Sequence, residues 1–523
     1  MTKVKTSPHS GKSHTDDDFV DLSFVLDDPM RKLSPARYPD FETGQVLRQG
    51  WLEVPINMVV QLRSEKADPC IEGHLQFVGM DDIETDGLTI AQTRPFAEMK
   101  SLGNRFRAGD MLYGRLRPYL NKTAVVDQEG ACSGELLVIT PSAAIIARYL
   151  QYFMHSHRYV GWVSAAVSGD RPRVGFETLA GFAIPLAPLA EQRRIVARVD
   201  ALFAEIAEGE AALAAARKGL ETFRRALLKA AVTGELTKDW RAANSVSETG
   251  HDVLARIAKD RATRGSAKGR GGQRKTDIPP LKTGFLPPLP ENWTYATLGD
   301  LFDVSTGSTP SRSDPTLWNG GIPWVSSGEV AFCRIQATRE TISNAGLGNP
   351  ATRLNPIGTV LLAMIGEGKT RGQCAILDVA AANNQNAAAI RVSATPIPPE
   401  FIYEVLEERY IRSRRESQGG NQPALNGGKV AEMAIPLPPL NEIFEILRRL
   451  SEARAATADT LTIFDAEAAD AARLKQSILK AAFEGRLVPQ DPADEPASAL
   501  LARLAANPTA VRAKRGRARK SAR

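Results

Sequence analysis

Two turn segments carry the side chains that are best suited to chemistry in this sequence. Each turn separates two apolar runs of strand character, at residues 111–116 and 122–126 in one case and at 360–365 and 374–379 in the other. The basic and amide residues in or beside these turns are Arg115, Arg117, Asn121, Lys122, Lys369, Arg371 and Gln373. Arginine and lysine bind phosphate, and arginine, asparagine and glutamine also form paired hydrogen bonds with base edges. The pattern indicates nucleic-acid contacts, and a solvated polar hairpin tip is the alternative with the same local pattern.

Signals for catalysis, for a cofactor or for a metal are absent from the sequence. Residues 363–370 fit a phosphate loop loosely, but a phosphate loop opens a helix, whereas Gly372 and a strand-like run follow here. The sequence has no base-methylation box and no glycine-rich cofactor loop. His155 and His157 lie close together without a third ligand, which is more typical of structural histidines. We therefore predict no catalytic residue, no metal site and no bound cofactor.

A long segment of the chain occurs twice. Residues 168–237 align with residues 419–488 at a constant offset of 251, without a gap. The Ala-Ile-Pro-Leu run that starts at Ala183 recurs at Ala434, and Glu191 recurs as Glu442. Each copy follows a longer and more divergent block, one beginning near residue 51 and the other near residue 293. This layout predicts two related domains, each followed by a repeated element.

Apolar residues recur every seven positions in the repeated element. In the first copy one series runs from Val199 to Leu227 and a second from Ile195 to Phe223. The second copy keeps a looser seam, with Ile446, Leu450, Phe464, Leu474 and Ile478. Two such series are typical of a coiled coil, and about 45 helical residues span on the order of 68 Å. We predict two long helices that bury their seams on each other in antiparallel orientation; the alternative is an ordinary amphipathic helix packed on its own domain.

Composition limits the class of protein further. The length of 523 residues allows two or more domains, and no apolar run approaches the roughly 20 residues that cross a bilayer. The four cysteines, Cys70, Cys132, Cys333 and Cys374, are scattered, which favours neither a zinc site nor a disulfide framework and is typical of a reducing cytoplasm.

Charge by itself is weak evidence for nucleic-acid binding here. The net charge is +6, and the basic residues of segment 509–523, which has no acidic residue, account for all of it. A solvated basic tail explains this without any DNA-binding face. Residues 238–290 are rich in glycine, lysine, arginine and proline, which predicts a flexible linker.

These segments resemble the type I restriction-modification specificity subunits. Residues 183–196, AIPLAPLAEQRRIV, are similar to the start of that family's conserved helical region, and residues 436–440 to its second copy. Residues 116–122, 321–326 and 366–373 resemble segments of the family's target recognition domains. Residues 419–426 resemble a loop that closes a recognition domain, and residues 168–174 resemble its counterpart. On this resemblance Arg171, Arg173 and Gln422 join the candidate DNA-binding residues.

The resemblance implies an α/β fold with two target recognition domains joined by two long antiparallel coiled-coil helices in a pseudo-twofold repeat. The boundaries that we predict are a flexible N-terminal extension at 1–48, recognition domain 1 at 49–188, spacer helix 1 at 189–237, the linker at 238–290, recognition domain 2 at 291–439, spacer helix 2 at 440–488 and a basic tail at 489–523.

The resemblance also implies what such a chain binds. The ligand would be double-stranded DNA, read as an asymmetric bipartite sequence whose halves lie about 34–36 Å apart if both domains approach from one side. The partners would be two methyltransferase subunits and restriction/translocase subunits in the cytoplasm, with no membrane. S-adenosylmethionine, ATP and Mg²⁺ would belong to the partner subunits, and the complex would serve defence against phage.

Other classes of function remain open at this point. A self-sufficient enzyme, such as a fused nuclease–methyltransferase remnant, would need a catalytic box that the sequence lacks. A coiled-coil assembly protein without DNA specificity would leave the two divergent blocks and their basic turns without a purpose. A degenerate specificity subunit fits residues 441–445, which read NEIFE where the first copy has an acidic residue followed by glutamine and two arginines.

Overall fold

The computed structural model describes residues 48–245, 247–267, 286–348, 352–366, 369–416 and 425–506. These residues form two compact units. The N-terminal unit comprises the described residues of Met1–Arg198 and Leu479–Arg523, and the central unit comprises those of Val199–Ile478.

The N-terminal unit is built on a four-stranded, a five-stranded and a two-stranded sheet. Its strands are β1 Leu52–Pro55, β2 Val60–Leu62, β3 Lys66–Ala67, β4 Gln76–Val78, β5 Arg94–Pro95, β6 Gly103–Phe106, β7 Met111–Gly114, β8 Thr123–Val125, β9 Gly130–Cys132, β10 Leu136–Pro141 and β11 Ala183–Leu186. The sheets have the orders β2-β10-β7-β8, β3-β6-β9-β4-β5 and β1-β11. Its helices are α1 Ala147–Met154, α2 His157–Ala165 and α3 Phe176–Ala180, and the long helix α4 Leu189–Thr233 begins here.

The core of this unit explains why the first basic turn is held firmly. Every residue of β7 is buried, and β7 pairs antiparallel with both β8 and β10. Leu112, Ala124 and Val138 from these three strands share one apolar cluster. A strand that is buried on both faces must be apolar throughout, as this run is. The turn between β7 and β8 is therefore anchored at both ends.

The central unit is a second α/β domain with its own core. Its elements are α5 Lys238–Ala243, α6 Gly250–Ala267, β12 Thr294–Thr297, α7 Leu298–Leu301, β13 Asp303–Thr306, β14 Trp318–Val325, β15 Cys333–Ile335, β16 Glu340–Ile342, α8 Asn344–Leu347, β17 Val360–Ala363, β18 Cys374–Leu377, β19 Ala382–Asn383, β20 Ala387–Arg391, α9 Pro399–Glu416, α10 Gly427–Ala431, β21 Ala434–Leu437 and α11 Leu440–Phe483. Its sheets have the orders β13-β20-β17-β18-β15, β16-β14-β19 and β12-β21. A last helix, α12 Ala497–Ala506, belongs to the N-terminal unit.

The internal repeat is confirmed in the fold. The pair β1–β11 and the pair β12–β21 are both antiparallel, and each leads into a long helix. In the N-terminal unit the Trp51 indole donates to the Glu191 carboxylate at 2.9 Å. In the central unit Trp293 donates to Glu442 at 2.8 Å. The glutamate that recurs in the sequence therefore fastens the start of each long helix to the tryptophan that directly precedes the first strand of the pair.

The seam of the long helices is more polar than we predicted. In α4 the first apolar series, from Val199 to Leu227, is buried or half-buried throughout, but the second series is exposed from Gly209 onward, and Phe223 is 50% exposed. The prediction that the second series is buried is therefore wrong from Gly209 onward, because charged residues occupy that side of the seam instead.

The charged residues of the seam also give the direction of the helices. Lys475 of α11 pairs with Glu210 of α4 at 2.8 Å, and Asp465 of α11 pairs with Arg217 of α4. The residue number falls in α11 as it rises in α4, so the helices are antiparallel where they touch within the central unit. Continuous coiled-coil packing stays a prediction.

The prediction of a flexible linker at 238–290 is wrong for residues 238–267. These residues form α5 and α6, with Val253 and Ile257 buried in the core of the central unit. In α5, Arg241 pairs with the buried Glu442. The glycines and basic residues that suggested a linker are concentrated at 268–285, which lies outside the described residues.

The prediction of a basic tail at 489–523 is wrong for residues 489–506. Ala497 and Leu500 are buried, and the Ala497 amide donates to the Gly50 carbonyl at 2.9 Å. Asp494 pairs with Arg194 at 2.7 Å. Residues 507–523, like the extension up to residue 47, lie outside the described residues.

The internal repeat extends into residues 238–267 and 489–506. A salt bridge joins Glu248 to Arg256 in the first, at 3.0 Å, and Glu495 to Arg503 in the second, at 2.9 Å.

Within the described ranges, no helix is both long enough and apolar enough to cross a membrane.

Candidate nucleic-acid interface

The turn after β7 presents one arginine to solvent on a constrained backbone. Arg117 has φ +50° and Asn121 has φ +47°, and a short 3₁₀ turn, Pro118–Leu120, lies between them. The left-handed conformation is uncommon for residues other than glycine, and the surrounding structure must hold it in place. Backbone hydrogen bonds within the turn do so, from the Leu120 amide to the Arg117 carbonyl at 2.8 Å and from the Asn121 amide to the Pro118 carbonyl at 3.0 Å. The Arg117 side chain is exposed.

A second loop packs against this turn and brings more arginines. The Arg117 amide donates to the Pro172 carbonyl at 2.7 Å, and the Val174 amide donates to the Arg115 carbonyl at 3.0 Å. Leu116 and Arg173 form an isolated antiparallel bridge. Four sequence-predicted residues therefore form one arginine cluster, which consists of Arg115, Arg117, Arg171 and Arg173.

One carboxylate lies in the arginine cluster, and the sequence analysis did not identify it. Glu135 accepts hydrogen bonds from Arg173 at 2.9–3.2 Å, and its carbonyl accepts from the Arg115 amide at 2.9 Å. The hydrogen bonds from Arg173 lower the pKa of Glu135, and the charges of Arg115 and Arg171 add to this effect. Glu135 is therefore ionised at neutral pH. No local signal marks it, because it follows the loop 133–134 and meets Arg173 only through strand pairing.

Asn121 and Lys122, which we predicted to contact DNA, both bond within the protein in this structure. Asn121 is 2% exposed and hydrogen-bonds to Asp86. Burial raises the pKa of Asp86, and the bond from Asn121 opposes part of this effect. The Lys122 ammonium donates to the Met80 carbonyl at 2.9 Å. Both side chains hold the turn closed from inside, and neither is available to a ligand in this conformation.

The second basic turn, in the central unit, connects β17 to β18. Lys369 is exposed, and its carbonyl accepts from the Tyr410 hydroxyl at 2.9 Å. Arg371 and Gln373 are half-buried, and Arg371 and Tyr410 line a cavity of about 250 Å³. The strand β18, not a helix, follows this turn, which agrees with the rejection of a phosphate loop. Gln422 lies outside the described residues.

An arginine that the sequence analysis missed lies elsewhere in the central unit. The Arg312 guanidinium lies 3.9 Å from the centre of the Trp318 ring, and Nη2 contacts Glu340 at 2.9 Å. A cation over an indole face is a recurrent stabilising arrangement. Spacing in the sequence gave no signal for it, because β14 and β16 bring Trp318 and Glu340 together.

Of the two neighbouring histidines, His155 lies inside the protein and His157 is exposed. His155 is buried and hydrogen-bonds to the Thr123 hydroxyl at 2.8 Å. Burial lowers its pKa to about 3. In the part of the chain that the structure describes, no three side chains of histidine, cysteine, aspartate or glutamate converge as metal ligands.

Comparison with known proteins gives a consistent result. The family described as "Type I restriction modification DNA specificity domain" matches residues 112–214 and 290–462. The EcoDI specificity subunit of Escherichia coli is 30% identical over 199 residues, which cover 38% of this chain and 42% of that protein. The EcoKI specificity subunit of E. coli K12 is 24% identical over 404 residues, 73% of this chain and 76% of that protein.

A solved structure shows the same fold. It comes from work on complex assembly and conformational transition of the type I R-M system, and it superposes with a TM-score of 0.61 at 21% identity, covering 84% of this chain and 99% of the other. Two α/β domains with long helices are therefore confirmed as the fold. Because the family match spans both domains and more than half of the sequence, this chain belongs to the type I restriction-modification DNA specificity family.

Proposed function

We propose that this chain reads an asymmetric bipartite DNA sequence and holds methyltransferase and restriction subunits on it, without catalysing a reaction itself. The observation that carries the proposal is the arginine cluster of the N-terminal unit. Two loops separated by about fifty residues in the sequence converge to form it, in a chain of the DNA specificity family.

The two domains differ in the chemistry that they offer to DNA. The N-terminal unit has three arginines around the Glu135 carboxylate and Arg117 on the adjoining turn, whereas the central unit has Lys369 and Arg371 beside Tyr410. Unlike side chains hydrogen-bond to different base edges. This difference supports a target with two unlike halves.

The domain layout of the proposal follows the predicted boundaries, with recognition domains at 49–188 and 291–439. The spacer helices at 189–237 and 440–488 would keep the unread gap constant. Ion pairs between Glu210 and Lys475 and between Arg217 and Asp465 support a rigid pair of helices.

Partners supply the chemistry in this proposal. S-adenosylmethionine, ATP and Mg²⁺ would bind to two methyltransferase subunits and to the restriction/translocase subunits. The cytoplasm is the proposed compartment, and the four free cysteines support it, because disulfides are rare there.

The test is to purify the chain with the methyltransferase encoded beside it and to map methylated adenines in DNA exposed to the complex. A bipartite motif with two unlike halves and a constant gap is the expected result. A stable complex that methylates nothing would point to a degenerate specificity subunit. A chain that forms no complex and shows no sequence preference would favour the assembly-protein alternative.

A further inference from the structure

Arg173 is held by its carboxylate partner in a way that leaves one edge of the guanidinium open. Nε lies 3.0 Å from Oε2 of Glu135, and Nη2 lies 2.9 Å from Oε1. The carboxylate therefore occupies the Nε–Nη2 edge. The outer edge, formed by Nη1 and the second hydrogen of Nη2, forms no hydrogen bond with the described residues. The side chain is 43% exposed.

The backbone that carries Arg173 is also constrained. Its neighbours Pro172 and Val174 are both buried, and Arg173 itself forms the bridge with Leu116. Two backbone hydrogen bonds flank this bridge, one from the Arg117 amide to the Pro172 carbonyl and one from the Val174 amide to the Arg115 carbonyl. Both the backbone and the side chain are ordered before any ligand arrives, so less conformational entropy is lost on binding.

We propose that Arg173 reads one guanine through this outer edge and that Glu135 is the positioning residue that aims it. This inference rests on the proposed function and deepens it by naming the base. Guanine presents two acceptors in the major groove, O6 and N7, whose spacing matches two parallel guanidinium N–H groups. A fixed arginine with one free edge is complementary to this pair and to neither adenine nor cytosine, each of which presents a donor there.

The carboxylate argues against a phosphate contact for Arg173. Phosphate contacts are governed by net charge, and Glu135 neutralises the charge of Arg173 and repels a phosphate group. A base edge is neutral overall, so geometry decides the strength of that contact. Arg117, which is exposed and lies next to the pair, is the better candidate for a phosphate or for a second base.

Two well-held arginines of the central unit lack this open edge. Arg312 uses both Nη1 and Nη2 for Glu340 and lies against the Trp318 ring. Arg334 uses Nε and Nη2 for Asp378 and Nη1 for Glu400. In each case the end of the guanidinium is already bonded within the protein.

The test uses the complete methyltransferase complex and duplexes that contain its mapped target. Each guanine in both half-sites is replaced in turn by 7-deazaguanine, which lacks the N7 acceptor, and the dissociation constant is measured. For the wild-type complex we expect a loss of at least about fivefold at one guanine of one half-site. The variants Arg173→Lys and Glu135→Gln should bind the unmodified target more weakly and should no longer respond to the substitution at that guanine.

The matched control is an ion pair of similar exposure in the same unit. Arg158 and Glu53 pair at 2.7 Å, and Arg158→Lys and Glu53→Gln should leave the response to 7-deazaguanine unchanged. A lower melting temperature with unaltered base preference in Glu135→Gln would give Glu135 a purely structural role and overturn the inference.

Other results separate this inference from the function on which it rests. Equal sensitivity of Arg173→Lys and wild type at every guanine overturns the inference alone. So does uniform weakening across all sequences with a salt slope lower by about 1, because that pattern indicates a phosphate contact. A wild-type complex without any sequence preference overturns the proposed function as well.

Discussion

Single residues divide into those that face a ligand and those that hold the loops in place. Arg117 and Arg173 reach solvent, whereas Asn121 is buried and Lys122 is bonded to the Met80 carbonyl. All four have the residue types that contact DNA in other proteins. Burial and existing hydrogen bonds, not residue type, decide which of them is available.

Replacing Arg117 with alanine should affect one half of the target only. Removing a base contact costs about 1–3 kcal/mol at the position it reads, so the preference in that half-site should relax or disappear while the other half keeps its own. Methylation mapping of the variant complex measures both halves at once. Arg158→Ala is the control, and equal weakening over all sequences would instead identify Arg117 as a phosphate contact.

His155 should make the protein less stable in acid. Burial lowers the pKa of His155 from its usual 6.5 to about 3, and the charge of Arg148 adds to this effect. Between these values the unfolded chain binds a proton that the folded chain does not, so stability falls as the pH drops below about 6.5 and the loss is complete near 3. The slope from this group is at most about 1.4 kcal/mol per pH unit. Denaturant unfolding at several pH values should show a smaller acid slope for His155→Gln, and an unchanged slope would contradict the assignment.

Among the elements, the starts of the two long helices are equivalent in sequence but not in electrostatics. Glu442 is buried, accepts from Trp293 and Thr237, and pairs with Arg241. Glu191 accepts from Trp51, and burial raises its pKa. Replacing a buried carboxylate that has an arginine partner lowers stability more than replacing a carboxylate whose charged form is already disfavoured by burial.

Glutamine substitution at the two equivalent positions should therefore give unequal effects. Glu442→Gln leaves Arg241 without its buried counterion and should lower the free energy of unfolding by about 3 kcal/mol. Glu191→Gln keeps the bond from Trp51 and should cost less than about 1 kcal/mol. The urea concentrations at the unfolding midpoints of the two variants compare these losses of stability directly. Equal shifts of the two midpoints would show that Arg241 contributes little to the stability of the fold.

For the whole molecule, residues 489–506 belong to the N-terminal unit although the central unit separates them from the rest of it in the sequence. Residues 489–506 contribute Leu500 to the core of the N-terminal unit, and Asp494 binds Arg194 there. Contacts between residues so far apart in sequence make folding of the N-terminal unit depend on almost the complete chain.

Truncation should expose this dependence. A chain that ends after residue 488 loses the Leu500 and Ala497 contacts and should be cleaved faster by protease within the N-terminal unit. A chain that ends after residue 506 keeps them and should match the full length. Thermal unfolding and limited proteolysis of the two truncated chains make the comparison, and identical behaviour would mean that the segment is dispensable.

The sequence by itself determined the repeat with its two related domains, the long helices and the loops that carry basic residues, and the resemblance to a known family implied that the domains are α/β. Periodicity and internal similarity are properties of the chain, so they can be read without coordinates. The α4 helix begins at Leu189 and α11 at Leu440, which are 251 positions apart, as the repeat requires.

Only the tertiary structure decided which residues meet. Glu135 and Arg173 are 38 positions apart, and strand and loop pairing brings them together. In the second apolar series of α4, Gly209 is exposed, whereas Glu210 and Arg217 form ion pairs with residues of the other long helix. Residues 250–267, although mostly polar, place Val253 and Ile257 in the core of the central unit, and residues 497–506 bury Ala497 and Leu500, since a few apolar residues at helical spacing are enough once a surface is present to receive them.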